Sequence, residues 1–268
     1  MARGAQHHRA ARLVEQRLLH FGFQRAHLLA DGGLGQRHLF GSRGEGAATR
    51  CGNKGANDCI VLCPLFPAGV RGDGNRDGFK HLVEADIHYD RILLDMVAEV
   101  GEKFASDFSR FALFGYSGGG QFVNRFAMLH PEHLWAASIG APGSVTLIDP
   151  EQGWWVGTKD FETRFGKPMN LQALRRLPVH MVAGKADIET WEITHREGGK
   201  FFMPGANETG RTRPERLEAL RRSFEAAGVK VAFDLLDNVP HNGLACVGHV
   251  QDFFAKALHD LRAVASAA

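Results

Sequence analysis

A cluster of glycines around one serine constrains this chain more than any other feature. RFALFGYSGGGQFVNRFAMLH, residues 110–130, reads as a strand at 111–114, a glycine turn, and a helix that ends near His130 and Pro131. The apolar run has strand character, the glycines lack the Cβ atoms that a sharp reversal would crowd, and QFVNRFAML carries its apolar residues at helical spacing. A strand that turns straight into a helix commits the chain to a βα unit, whose next strand lies parallel to the first.

The segments that follow repeat this rhythm. WAASIGAP at 135–142, PVHMVAG at 178–184 and VKVAFDLL at 229–236 read as strands, with helices predicted over 214–227 and about 247–265. Upstream, CIVLC at 59–63 is a short apolar run ended by Pro64 and suits a buried parallel strand. Over 87–104, Ile92, Leu93, Met96, Val97 and Val100 recur at helical spacing with charges opposite, which predicts an amphipathic helix. The fold class is therefore α/β, a mostly parallel sheet with helices on both faces. Two stretches interrupt the alternation, 144–170 with Trp154 and Trp155, and 188–212 with Trp191, Phe201 and Phe202. Lid-like insertions over the strand ends and plain core packing both account for such aromatics.

Residues 1–57 differ from the rest. They contain ten glycines and eight arginines, while Val14 and Thr49 are the only β-branched residues, a composition that disfavours strands. A weak helix fits 10–21, where Ala10, Leu13, Val14, Leu18 and Phe21 share a face, and the remainder to residue 57 reads as loop. This segment has nine basic against three acidic residues; with a net charge of +2 for the whole chain, residues 58–268 carry −4. The basic residues are scattered among glycines and histidines, without a dense run, so nucleic-acid binding is not expected. A flexible extension, an interaction arm and an out-of-frame reading of a GC-rich gene all fit this composition, the last best. The catalytic domain is placed at 58–268.

Composition excludes several classes. With 44% hydrophobic and 23% charged residues among 268, the chain reads as an ordinary globular protein rather than a disordered or collagenous one. No apolar run reaches membrane-spanning length and the first residues lack the apolar core of a secretory signal, so a cytoplasmic protein without membrane association is expected. Cysteines 51, 59, 63 and 246 lack paired CxxC spacing and are read as thiols, and none of the 14 histidines falls in HExxH or HxH spacing. Neither a metal nor a cofactor is expected.

The chemistry is carried by Gly115-Tyr116-Ser117-Gly118-Gly119, a GxSxG pattern that this composition produces by chance about 0.1 times. Its weight comes from context, since the turn lifts Ser117 between a strand end and a helix start, where free amides such as that of Gly118 point at developing negative charge. A serine needs a base, and the base an orienting acid. Asp187 stands just past the strand 178–184, and Pro240-His241-Asn242-Gly243 follows the last strand. Asp149 and Glu189 are the rival acids; His180, His195 and His249 are the rival bases.

GYSGGG, GKAD and VPHNG, each after its strand, resemble the catalytic positions of the α/β-hydrolase superfamily over roughly residues 58–268. GYSGGGQF, the HPEHL helix end, IGAPGSVT and the paired tryptophans resemble bacterial predicted esterases loosely grouped with polyhydroxybutyrate depolymerases. The resemblance implies a serine esterase with the triad Ser117, Asp187 and His241, an oxyanion donor at Gly118, and a small-molecule ester as substrate. Tyr116, Trp154, Trp155 and Trp191 are the expected substrate-binding residues. An amidase, peptidase or acyltransferase would use the same triad, and a catalytically silent binding protein the same scaffold. One departure stands out. The superfamily draws its second oxyanion donor from a loop before the strand placed at 59–63, and here only HLLADGG at 27–33 stands in, which makes Gly33 or Leu34 the donor.

Overall fold

The computed structural model describes residues 47–51 and 59–267. The expected helix over 10–21 and the candidate donors Gly33 and Leu34 lie outside the described residues. The chain divides into two compact units, Met1–Ser109 and Arg110–Ala268.

In the first unit, β1 (Ala47–Cys51) and β2 (Cys59–Cys63) form an antiparallel pair, with Ala47 opposite Cys63 and Cys51 opposite Cys59. Two expectations are corrected here. The glycine-rich segment read as loop contains a strand, and CIVLC is not a buried parallel strand: its first residue is exposed and the other four are half-buried. A five-residue apolar run fits either pairing sense, and the choice depends on which segment supplies the partner backbone. Two further short strands, β3 (Val83–Glu84) and β4 (Ile87–His88), pair antiparallel ahead of helix α1 (Tyr89–Phe104). Its Ile92, Leu93, Met96 and Val100 are buried, as the amphipathic pattern requires. Phe66 stacks on Phe79 at 5.5 Å and meets Tyr89 edge-on at 5.3 Å.

The second unit is built on a four-stranded sheet in the order β5 (Phe111–Tyr116), β6 (Leu134–Gly140), β7 (Val179–Gly184), β8 (Val231–Leu236), with every pair parallel. Strand alternation assigns the two faces. Phe114, Tyr116, Val182 and Leu236 pack with Cys246, Val250 and Phe254 of the last helix, α6 (Gly243–Ala267). On the opposite face, Phe111 meets Phe126 of α2 (Gly118–Leu129), and Arg221 of α5 (Arg213–Ala226) lies 5.1 Å over Phe233. Helices thus cover both faces, as expected for parallel strands. Thr212 caps α5 with a capping box in which its side chain and that of Glu215 each accept from the other's backbone N–H, and Pro214 occupies the first turn.

The stretch 144–170 carries two features that fasten it to α2. Arg125, fully buried, donates to Thr146 Oγ1 and Ser144 Oγ, both at 2.9 Å, and lies 5.2 Å over the Trp155 ring. Asn124 accepts from the Thr146 backbone N–H at 2.8 Å. A short helix, α3 (Phe161–Phe165), precedes α4 (Leu171–Arg176). The Trp155 indole N–H donates to the Phe201 carbonyl at 3.1 Å and so links the two insertions. No helix among the described residues is long and apolar enough to cross a membrane.

Candidate active site

Ser117 sits between β5 and α2 with φ 56° and ψ −114°, a conformation that side-chain-bearing residues rarely adopt. Such strain costs of order 1–3 kcal/mol and persists only where the surroundings enforce it. Here the enforcement is steric. A Cβ on Gly115 would lie 2.2 Å from the Gly119 carbonyl oxygen, and one on Gly120 would lie 2.3 Å from that of Gly140. The Ser117 amide donates to the Gly140 carbonyl at 2.8 Å, and the Ser117 carbonyl accepts the first intrahelical bond from Gln121 at 3.1 Å. The amides of the first turn of α2, beginning with Gly118, have no carbonyl four residues earlier in the helix to bond, and they open beside Ser117.

Asp187 and His241, the expected acid and base, meet because β7 and β8 leave the sheet side by side. Lys185 N–H donates to the Leu236 carbonyl at 2.9 Å, and Ala186 N–H to that of Val239 at 3.0 Å. This approach is so close that a Cβ on Gly184 would lie 2.0 Å from the Val239 oxygen. Asp187, 1% exposed, and His241 are thereby brought together, with His241 Nδ1 2.6 Å from Asp187 Oδ2. A carboxylate in its ionised form only accepts, so this contact suits the tautomer with the proton on Nδ1, which leaves Nε2 as an acceptor. The His241 ring lies 5.0 Å from that of Tyr116, the residue immediately before Ser117.

No protein-family model matches the sequence, and a search of curated proteins finds no match. Solved structures do match. Poly(aspartic acid) hydrolase-1 from Sphingomonas sp. KT-1 superimposes with a TM-score of 0.58 at 20% identity, over 73% of this chain and 76% of that one. LpqC, a poly(3-hydroxybutyrate) depolymerase from Bordetella parapertussis, gives 0.57 at 20% identity, over 73% and 69%. The chain has the α/β-hydrolase fold.

Within this α/β-hydrolase fold four of the rival residues, Asp149, His180, His195 and His249, engage other groups. Asp149 accepts from the Glu151 amide in a turn of the first insertion, and His195 packs 4.7 Å from the Trp155 ring. His180 belongs to a second Ser-His-Asp chain: Ser138 Oγ lies 2.9 Å from Nδ1, and Nε2 lies 3.1 Å from Asp234 Oδ2. His249 Nδ1 lies 3.2 Å from the same oxygen. Ser138 is completely buried in mid-strand, so no substrate reaches it. Geometry of three residues is thus insufficient without a strand-to-helix turn such as the one at Ser117, which is half-buried rather than sealed in mid-strand.

Tyr116, an expected substrate-binding residue, follows Phe114 by two positions on β5, packs against Cys246 and Val250, and has its ring 5.0 Å from that of His241. Burial raises the pKa of its hydroxyl. Trp154 is packed between Phe161 and Phe165, at 5.8 and 4.8 Å, and Trp155 is buried over Arg125, so both serve the core of the insertion. Trp191 is 69% exposed, four residues beyond Asp187.

Buried arginines are the residues that sequence reasoning missed. Arg213 Nη1 donates to Asp187 Oδ1 at 3.1 Å and its Nη2 to Glu192 Oε2 at 2.8 Å. Arg216 donates to the carbonyls of Gly143, Ile193 and Gly210 and joins the loops around the site. Among the described residues, His130, Glu132 and His133 bring possible metal-ligand atoms within 4.8 Å of one another. The Lys167 ammonium lies 3.0 Å from Glu132 Oε1 and 3.4 Å from His130 Nδ1, taking the place a cation would fill.

Proposed function

We propose that the protein is a serine hydrolase that cleaves a carboxylic ester through an acyl-enzyme, with Ser117 as nucleophile, His241 as base and Asp187 as its orienting acid. The observation that carries this reading is the 2.6 Å contact between His241 Nδ1 and Asp187, with Tyr116, the residue before the strained Ser117 turn, packed 5.0 Å from the His241 ring. Nε2 of His241 takes the Ser117 proton as Oγ attacks the carbonyl carbon, and then delivers it to the leaving alcohol. The negative charge on the carbonyl oxygen develops toward the Gly118 amide at the α2 N-terminus. Water activated by the same imidazole then releases the acid. Asp187 holds the ring in the productive tautomer and stabilises its charged form.

Amide cleavage is the second reading, favoured by one observation: of two similarly matched structures, one is named for poly(aspartic acid) and the other for poly(3-hydroxybutyrate). A fluorophosphonate probe followed by a panel of p-nitrophenyl esters and p-nitroanilides tests both. Labelling at Ser117 with ester turnover is expected. Labelling with anilide turnover alone moves the assignment to an amidase, and well-folded protein that resists labelling is a binding protein on this scaffold.

A further inference from the structure

Arg213 occupies a position that helix energetics disfavour. It is the first residue of α5, at the positive end of the helix dipole, where a cation is destabilising and an acid is preferred. It is also 2% exposed, and its Nε is buried without a hydrogen-bond partner among the described residues. A guanidinium taken out of water at the wrong end of a helix, with one donor unmet, persists only where strong partners compensate. Those partners are two carboxylates, and one of them is Asp187.

Both oxygens of Asp187 are thereby engaged, Oδ2 by His241 and Oδ1 by Arg213. The carboxylate plane cannot rotate without breaking one bond or the other. Glu192 holds the second nitrogen of the fork, and its side chain is 48% exposed, so a chain of charges runs from near the surface through Arg213 and Asp187 to His241. We propose that Arg213 and Glu192 are positioning residues that set the orientation and the proton affinity of His241 through Asp187. The inference rests on the Ser117–His241–Asp187 reading above and adds a tuning element to it.

The sign follows from charge. The Arg213 cation offsets part of the negative charge that His241 feels from Asp187, so it lowers the affinity of the imidazole for a second proton; Glu192 opposes Arg213. Of the other groups facing this cluster, Tyr116 and Cys246 lie within electrostatic reach of Asp187, and burial raises both so that they stay neutral in the relevant range. Arg216, one turn along α5, remains cationic near neutrality, with its pKa lowered to about 10 mainly by burial and then by Arg213. Since Ser117 reacts only when His241 is neutral, removing Arg213 should move the acid limb of reactivity to higher pH. Removing the charge of Glu192 should move it lower.

The rate of fluorophosphonate modification of Ser117 against pH reads this out without knowledge of the substrate. Arg213→Met is expected to raise the acid limb by about half to one pH unit and to lower the plateau about 10-fold or more. Arg213→Lys keeps the charge but loses the fork, so its limb should stay near wild type while the plateau falls. Glu192→Gln, at a half-exposed position that folding tolerates, should lower the limb by a few tenths of a unit. If Arg213→Met fails to fold, the Glu192→Gln shift carries the test. Acid limbs unchanged in every folded variant overturn the inference and leave the triad standing. An unsubstituted protein that is folded but not labelled at Ser117 removes the triad, and this inference with it.

Discussion

At Ser117 the backbone and the chemistry make opposite demands. The dihedral angles suit glycine, yet the proposed reaction needs a hydroxyl. Ser117→Gly should therefore stabilise the protein by about 1 kcal/mol, read as a higher denaturation midpoint, while eliminating turnover. Ser117→Ala should lose activity by about 10⁶-fold with the fold intact. More than a tenth of wild-type activity in Ser117→Ala means another nucleophile acts. Asp187→Asn should reduce kcat by about 10⁴, because an amide can donate to Nδ1 and so permits the wrong tautomer of His241, whereas Asp149→Asn should leave kcat unchanged. The reverse pattern, a large loss from Asp149→Asn and little from Asp187→Asn, would move the acid to the first insertion. The types and order of Ser117, Asp187 and His241 were legible in the sequence because each follows a recognisable strand. Arg213 was not legible, because arginine composition reads as surface and nothing local ties residue 213 to an aspartate 26 positions earlier.

At the level of elements, the elbow is held by glycines whose roles differ, and the difference is measurable. A Cβ on Gly120 meets the Gly140 carbonyl oxygen at 2.3 Å, a backbone atom that cannot step aside, so Gly120→Ala should push α2 off β6 and destabilise by about 2–4 kcal/mol. Among the described residues a Cβ on Gly119 meets no neighbour within 4 Å, so Gly119→Ala should be neutral or stabilising by about 0.5–1 kcal/mol through helix propensity. Thermal denaturation of the two variants decides the matter, and equal effects would show that close packing of α2 on the sheet does not fix the turn. Strands β5 to β8 and helices α1, α2, α5 and α6 match the periodicities in the sequence to within a few residues. The strand β1 escaped because AATRC has no alternating pattern; its backbone is ordered by the ladder to β2, and pairing partners are not local information.

At the scale of the whole molecule, the described residues of the proposed site all belong to the second unit, and its sheet is tied across three strands by a row of polar groups. Ser138 on β6, His180 on β7 and Asp234 on β8 form one hydrogen-bonded row beneath α6, with the His180 ring stacked 5.0 Å from Phe253. Burial is the largest influence on His180 and lowers its pKa below 6.5, against the opposing pull of Asp234. A histidine held neutral in the native state binds fewer protons there than when unfolded, so its contribution to stability is complete above pH 6.5 and is lost as pH falls toward the depressed native value. The denaturation midpoint should therefore drop below pH 6.5, and His180→Gln, though less stable at neutral pH, should show a flatter decline over that window. Equal slopes would mean His180 titrates alike in both states. The sequence by itself determined the alternation of strands and helices, the serine turn and the chain order of the proposed triad, because periodicity and glycine sterics act over a few residues. Tertiary structure alone decided the antiparallel β1–β2 pair, the packing of Tyr116 beside His241 and the arginine clamp on Asp187. Each of these depends on which distant backbone or charge arrives at a given place, and that information is distributed over the folded chain rather than written in any one stretch of it.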